Sequence, residues 1–139
     1  MNSQNIPFSK KAFVMVVSMF SIITLSAFYL QQNPWKAPAT ADTKKNPLIS
    51  DAETIAAGKM VYVKECLSCH GKGGKGDGPS AAQLDKPAGN FTTAATQGQS
   101  DGALYWKVSE GKKPMPSLKK KLSETQIWQS VVYMRTFKK

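Results

Sequence analysis

The chain has 139 residues, which suits one domain better than two, since domains usually run to roughly 100 to 150 residues. Its 19 Lys and Arg against 9 Asp and Glu leave a net charge of +10 spread along the chain, so nucleic acid is a weak candidate partner. Two cysteines, Cys66 and Cys69, and a single histidine, His70, supply three N or S ligands within five residues, one short of the four that a structural zinc site requires.

Residues 1–11 precede an uncharged run, residues 12–30 (AFVMVVSMFSIITLSAFYL). As a helix, those 19 residues would extend about 28 Å, close to the thickness of a bilayer's hydrocarbon core. Lys10 and Lys11 just before it favour a cytoplasmic N-terminus. The expectation is therefore a single-pass inner-membrane anchor that delivers the remainder to the periplasmic, extracytoplasmic side. The rival reading is an export signal. Anchoring is preferred because the run exceeds a usual signal core and the best cleavage site, Thr24-Leu25-Ser26 before Ala27, falls inside it. Residues 31–47 then shift to Gln, Asn, Ala, Thr and Lys with Pro34, Pro38 and Pro47, and read as a flexible linker with a reach of roughly 20 to 25 Å.

The domain proper is expected over residues 48–139. Ser50-x-x-Glu53 fits a capping box, and Ile55, Ala56, Met60, Val63 and Leu67 follow at helical spacing, predicting a helix from about residue 51 to 67 with the cysteines at its end. Residues 71–100 are rich in Gly, Pro, Asn and Thr without sustained period, a stretch that calls for something to wrap. Ser100 and Asp101 start a short helix through Leu104, Trp106 and Val108 that stops near Gly111. A second loop, residues 111–122, holds Pro114-Met115-Pro116. Ser123-x-x-Gln126 caps a final amphipathic helix through Ile127, Val131, Met134 and Phe137. No segment alternates like a strand, so the domain is expected to be all-α. Its helices alone make a small core, near the size at which domains need extra support.

Cys66-Leu67-Ser68-Cys69-His70 has the spacing of a c-type haem attachment site. Two residues between the thiols let both sulfurs reach the two vinyl groups of one porphyrin, and the adjacent imidazole falls beneath the iron. A dithiol redox centre would want a βαβ context and would leave the histidine without a role. With both cysteines committed, none remains for a lipid anchor. The lack of a second histidine leaves Met, Lys, Asn or an open site at the sixth position, with methionine the natural candidate. Met1, Met15 and Met19 lie in or before the apolar run, and Met60 and Met134 suit helical core positions. Met115 lies in a loop 45 residues after His70, between two prolines that restrict the backbone and can hold a thioether at a fixed place.

On these motifs residues 50–139 resemble the class I, monohaem cytochrome c family in its membrane-anchored bacterial form. The landmarks are Gly58-Lys59-Met60-Val61-Tyr62 leading into Cys66-x-x-Cys69-His70-Gly71, the Met115-Pro116 pair, and a last helix with Trp128 and Tyr133-Met134-Arg135. Gly76-Asp77-Gly78-Pro79-Ser80-Ala81 and Lys86-Pro87-Ala88-Gly89-Asn90-Phe91 also look like the loop of small bacterial cytochromes. The resemblance implies a cytochrome c fold around one covalently bound haem c. It also implies that the carbonyl of Pro79 accepts the N–H of His70, and that Gly58 admits Tyr133 or Trp128 at a crossing of first and last helices.

His/Met ligation saturates iron, so the expected function is one-electron transfer between membrane or periplasmic redox partners of a respiratory chain, not enzymatic turnover. A subunit or sensor module of a larger membrane redox complex is the alternative. Lys112, Lys113, Lys119, Lys120 and Lys121 bracket Met115 and predict a docking ring for a redox partner with an acidic surface, unless they serve only solubility.

Overall fold

The computed structural model describes residues 35–138. Residues 1–11, the expected membrane span over 12–30, the linker up to residue 34 and Lys139 lie outside the described residues. Among those described, no helix is long and apolar enough to cross a membrane. Chain contacts divide after Trp35, and the folded domain is the unit that begins at Lys36.

Among the described residues six helices follow one another: α1 (Ala39–Asp42), α2 (Ala52–Glu65), α3 (Leu67–His70), α4 (Ala94–Gln97), α5 (Asp101–Glu110) and α6 (Glu124–Arg135), with a 3₁₀ turn at Ala81–Gln83. No strand occurs among the described residues, where Lys112 and Met115 form an isolated bridge. The all-α expectation holds for this part of the chain.

Local chemistry sets the helix starts. Asp51, not Ser50, caps α2 by accepting from the Thr54 amide at 2.8 Å, because a carboxylate one residue later meets the same orphan donors. Ser100 caps α5 through the Ala103 amide. Ser123 and Gln126 form a complete capping box on α6. Gly111, at φ 68°, ends α5 in a conformation a side chain would strain.

The most extensive helix contact is between α2 and α6. An added Cβ at Gly58 would fall on the Gln129 carbonyl and lie 3.0 Å from the Tyr133 Cβ, so glycine is what lets the two backbones meet. Tyr133 occupies the crossing, whereas Trp128 stacks on Tyr105 with centroids 4.2 Å apart. The buried face of α2 is Gly58, Val61 and Tyr62, so the expected stripe through Met60 and Val63 is corrected: these two are 70% and 53% exposed. A glycine and a tyrosine disguise the true inner face because neither carries much weight as an apolar repeat. Met134 is buried as expected, in a core with Leu104, Tyr105, Val108, Leu118, Ile127, Trp128 and Val131.

The linker expectation also needs correction from Lys36 onward. Ala41 is buried, with its carbonyl set against Gly102, where no side chain intervenes. Ser100 donates to Asp42 at 2.7 Å, Asn46 donates to Asp101 at 3.1 Å, and the Lys44 ammonium sits 4.0 Å from the Tyr105 ring centroid. Small residues, one cap and one cation over a ring pin a segment that has no apolar period to announce it.

Candidate functional site

The end of α2 runs into the one-turn helix α3, and this junction presents Cys66, Cys69 and His70. The Cys66 amide donates to the Tyr62 carbonyl at 2.9 Å, and the His70 amide donates back to the Cys66 carbonyl at 2.9 Å. The pentapeptide is thus a closed helical turn in which both thiols are free and partly covered. Burial pushes the Cys66 thiol up to about 12, with the Glu65 carboxylate adding to the effect, so it is protonated at neutral pH.

The glycine-rich loop does not hang open beneath this turn. The amides of Gly76, Gly78 and Ser80 donate to the carbonyls of His70, Cys69 and Ser68 at 2.9, 3.1 and 2.8 Å. A Cβ at Gly78 would collide with the Leu67 and Ser68 carbonyls, which explains glycine there. Tyr62 closes the arrangement by donating its hydroxyl to the Gly71 carbonyl at 2.7 Å, and burial holds its phenol well above the usual range.

His70 Nδ1 lies 2.9 Å from the Gly89 carbonyl oxygen. This corrects the expected partner, the carbonyl of Pro79. Pro79 sits in the return loop between Gly78 and Ser80, whose amides bond the motif turn, while the later stretch of loop carries Gly89 beneath the ring. A carbonyl can only accept, so Nδ1 carries the proton and Nε2 keeps its lone pair. Burial lowers the imidazole pKa against the opposing pull of that bond, favouring the neutral, ligating form. Phe91 stacks on the same ring with centroids 4.4 Å apart and is itself held by its amide bond to the Gly74 carbonyl. Tyr62, Tyr133 and Phe137 extend the aromatic cluster. The donor set fits a c-type haem: two unpaired thiols at thioether spacing, and a neutral imidazole oriented from behind to offer Nε2.

Met115 lies on the loop between α5 and α6, in a turn where its amide donates to the Lys112 carbonyl at 2.9 Å and the Lys113–Pro114 peptide is cis. It is partly buried and packs against the hydrophobic core, as Phe91 does elsewhere on the same cluster. The loop is fastened to α5: Ser117 donates its hydroxyl to the Ser109 carbonyl at 2.7 Å, and the Leu118 and Lys119 amides reach the same carbonyl. Of the five lysines expected to form a docking ring, Lys119 pairs with Glu110 at 2.7 Å and Lys121 with Glu65 at 2.5 Å. Those two positive charges are therefore partly neutralised in place.

Gly89, Phe91 and Glu65 belong to the site's surroundings. Gly89 and Phe91 lie in the loop stretch that carries the family resemblance, but the sequence does not show their contacts with His70 or the covering of the Glu65 carboxylate. Gly89 lies 19 residues from the histidine it orients, in a loop without periodicity.

Residues 53–134 match the family described as cytochrome c oxidase, cbb3-type, subunit III. Two solved structures resemble the chain. One, the Kuenenia stuttgartiensis reducing HAO-like protein complex Kustc0457/Kustc0458, is 36% identical with a TM-score of 0.60, and the match covers 67% of this chain and 47% of that one. The other, the KustC0563 c-type cytochrome, is 30% identical with a TM-score of 0.53 over 59% of this chain and 98% of that one. No curated protein matches the chain.

Proposed function

We propose, from the premise that the chain belongs to the cytochrome c oxidase, cbb3-type, subunit III family and is a monohaem c-type cytochrome with haem-based electron transfer, that it is a one-electron carrier with a single haem held by Cys66 and Cys69 and ligated by His70 and Met115. When bound, the haem supplies a reversible Fe(II)/Fe(III) couple, and His/Met ligation raises its potential relative to bis-His ligation. The chain's own residues hold and tune it. Gly89 fixes the His70 ring and its tautomer, Phe91 covers one face of the imidazole, and the loop bonds to α5 limit where Met115 can go.

The observation that carries this reading is the orientation of His70: Nδ1 is committed to a backbone carbonyl, so the nitrogen left for a metal is Nε2. Residues 12–30 anchor the protein in the inner membrane with the haem domain outside, and Lys112, Lys113 and Lys120 meet an acidic redox partner. With His70 and Met115 both committed to iron, the protein would carry electrons and leave no place for a substrate. A second reading, a subunit of a larger redox assembly, draws on Met60 and Val63, whose exposed apolar side chains lie on one face of α2.

Oxidised holoprotein should show the weak red charge-transfer band of methionine-ligated ferric haem. Met115→Ala should remove it, lower the reduction potential and admit CO to the reduced form. An unchanged spectrum and potential in the variant would sink the ligand assignment.

A further inference from the structure

Glu65 ends α2, one residue before Cys66, and its side chain is only 5% exposed although it is a carboxylate. Its partner is Lys121 at 2.5 Å, with the lysine side chain 62% exposed. Lys121 lies on the same loop as Met115, six residues downstream. The loop's backbone and hydroxyl bonds run to α5 through Ser109 and Val108, or stay within the loop at Lys112–Met115 and Leu118–Lys121. Lys119 likewise turns back to Glu110 on α5. Lys121 is where the loop reaches across to the helix that carries the haem-attachment turn, beside a groove of about 240 Å³ lined by Ala57, Met60, Leu122 and Gln126.

We infer that the Glu65–Lys121 ion pair is a clasp that ties the Met115 loop to the haem-attachment helix and keeps the Met115 thioether seated on iron. Glu65 and Lys121 are positioning residues: they touch neither ligand atom and act through the segments they join. This rests on the His70/Met115 ligation proposed above. A thioether is a weak donor, so the time it spends on iron depends on how firmly its loop is held. The α5 bonds hold the loop on one side, and the clasp holds it on the other. The pair is also asymmetric. Removing Lys121 leaves a covered carboxylate without compensation, whereas removing Glu65 leaves an ammonium that water can solvate.

The test uses full-length ferric holoprotein in detergent and follows imidazole displacing Met115 by stopped-flow absorbance. Lys121→Gln should speed displacement about tenfold and Glu65→Gln about threefold, as the asymmetry requires. The double variant should match Glu65→Gln alone, because the covered charge is then gone. Lys59→Gln, an exposed lysine on the same helix, should leave the rate unchanged. Amide exchange across residues 112–122 should quicken in parallel in Lys121→Gln. Wild-type rates and exchange in both single variants, with the methionine band present, would overturn the clasp while leaving the ligation intact. Should wild-type protein lack the band, the ligation reading falls, and unchanged exchange in Lys121→Gln would then overturn the clasp independently.

Discussion

Gly58 shows how one missing side chain sets the distance between the two helices that frame the site. In an open helix interior, Gly58→Ala would gain about 1 kcal/mol from backbone entropy. Here the new Cβ would press on the Gln129 carbonyl, which is backbone and cannot turn aside. Overpacking of that kind costs typically 1–3 kcal/mol, and parting α2 from α6 also disturbs the Tyr62 and Tyr133 rings, so a net loss of about 2 kcal/mol is expected. Urea unfolding of the holoprotein checks it, and a midpoint equal to or above wild type would show that the crossing can relax. Gly58 is legible as a crossing residue through the family resemblance, which implies a glycine at the meeting of the first and last helices. Gly89 is not, because a carbonyl acceptor has no side chain and thus no identity to read.

At the scale of elements, the helices that can be read are those whose caps and stripes agree. Ser123 and Gln126 make the capping box their spacing predicts, and Ile127, Val131 and Met134 fill the inner face of α6. The buried face of α2 escapes a periodic reading because Tyr62 and Gly58 lie inside while Met60 and Val63 face out. The covered carboxylate of Glu65 is equally silent, since a buried acid in a helix gives no periodic signal. The caps themselves differ in load. Ser123 satisfies one helix, so Ser123→Ala should cost about 1 kcal/mol. Ser100 accepts from the Ala103 amide and donates to Asp42, joining α5 to α1. Ser100→Ala should therefore cost about 1.5 to 2 kcal/mol, the cap plus one further hydrogen bond. Ser100→Asp, which keeps the cap but sets two carboxylates together, should recover none of the second part. Equal losses for Ser100→Ala and Ser123→Ala in urea titrations would mean that the Asp42 bond contributes nothing.

For the whole molecule, the question is where the haem domain begins. Composition places the boundary at residue 48, because residues 31–47 show proline and polar residues and no apolar repeat. The contacts place it at Lys36, since Ala41, Asp42, Lys44 and Asn46 each meet α5 or the rings beside it. Fixing each backbone residue costs roughly 1–2 kcal/mol, so these contacts must outweigh a considerable entropy loss merely to keep the segment docked. Only the surplus appears as stability. A segment docked at least tenfold more often than not supplies about 1.4 kcal/mol or more. Haem-loaded domain starting at Lys36 should accordingly unfold at a higher urea concentration than one starting at Leu48, by a margin equivalent to about 1.5 kcal/mol. High salt should leave most of that margin in place. The 3.9 Å Lys44–Glu124 pair is largely exposed and contributes little, while the ammonium against Tyr105 is shielded by the ring it covers. Identical unfolding midpoints for the two lengths would return residues 36–47 to the role of a free leash, and the domain would then swing on the longer tether that composition alone predicts.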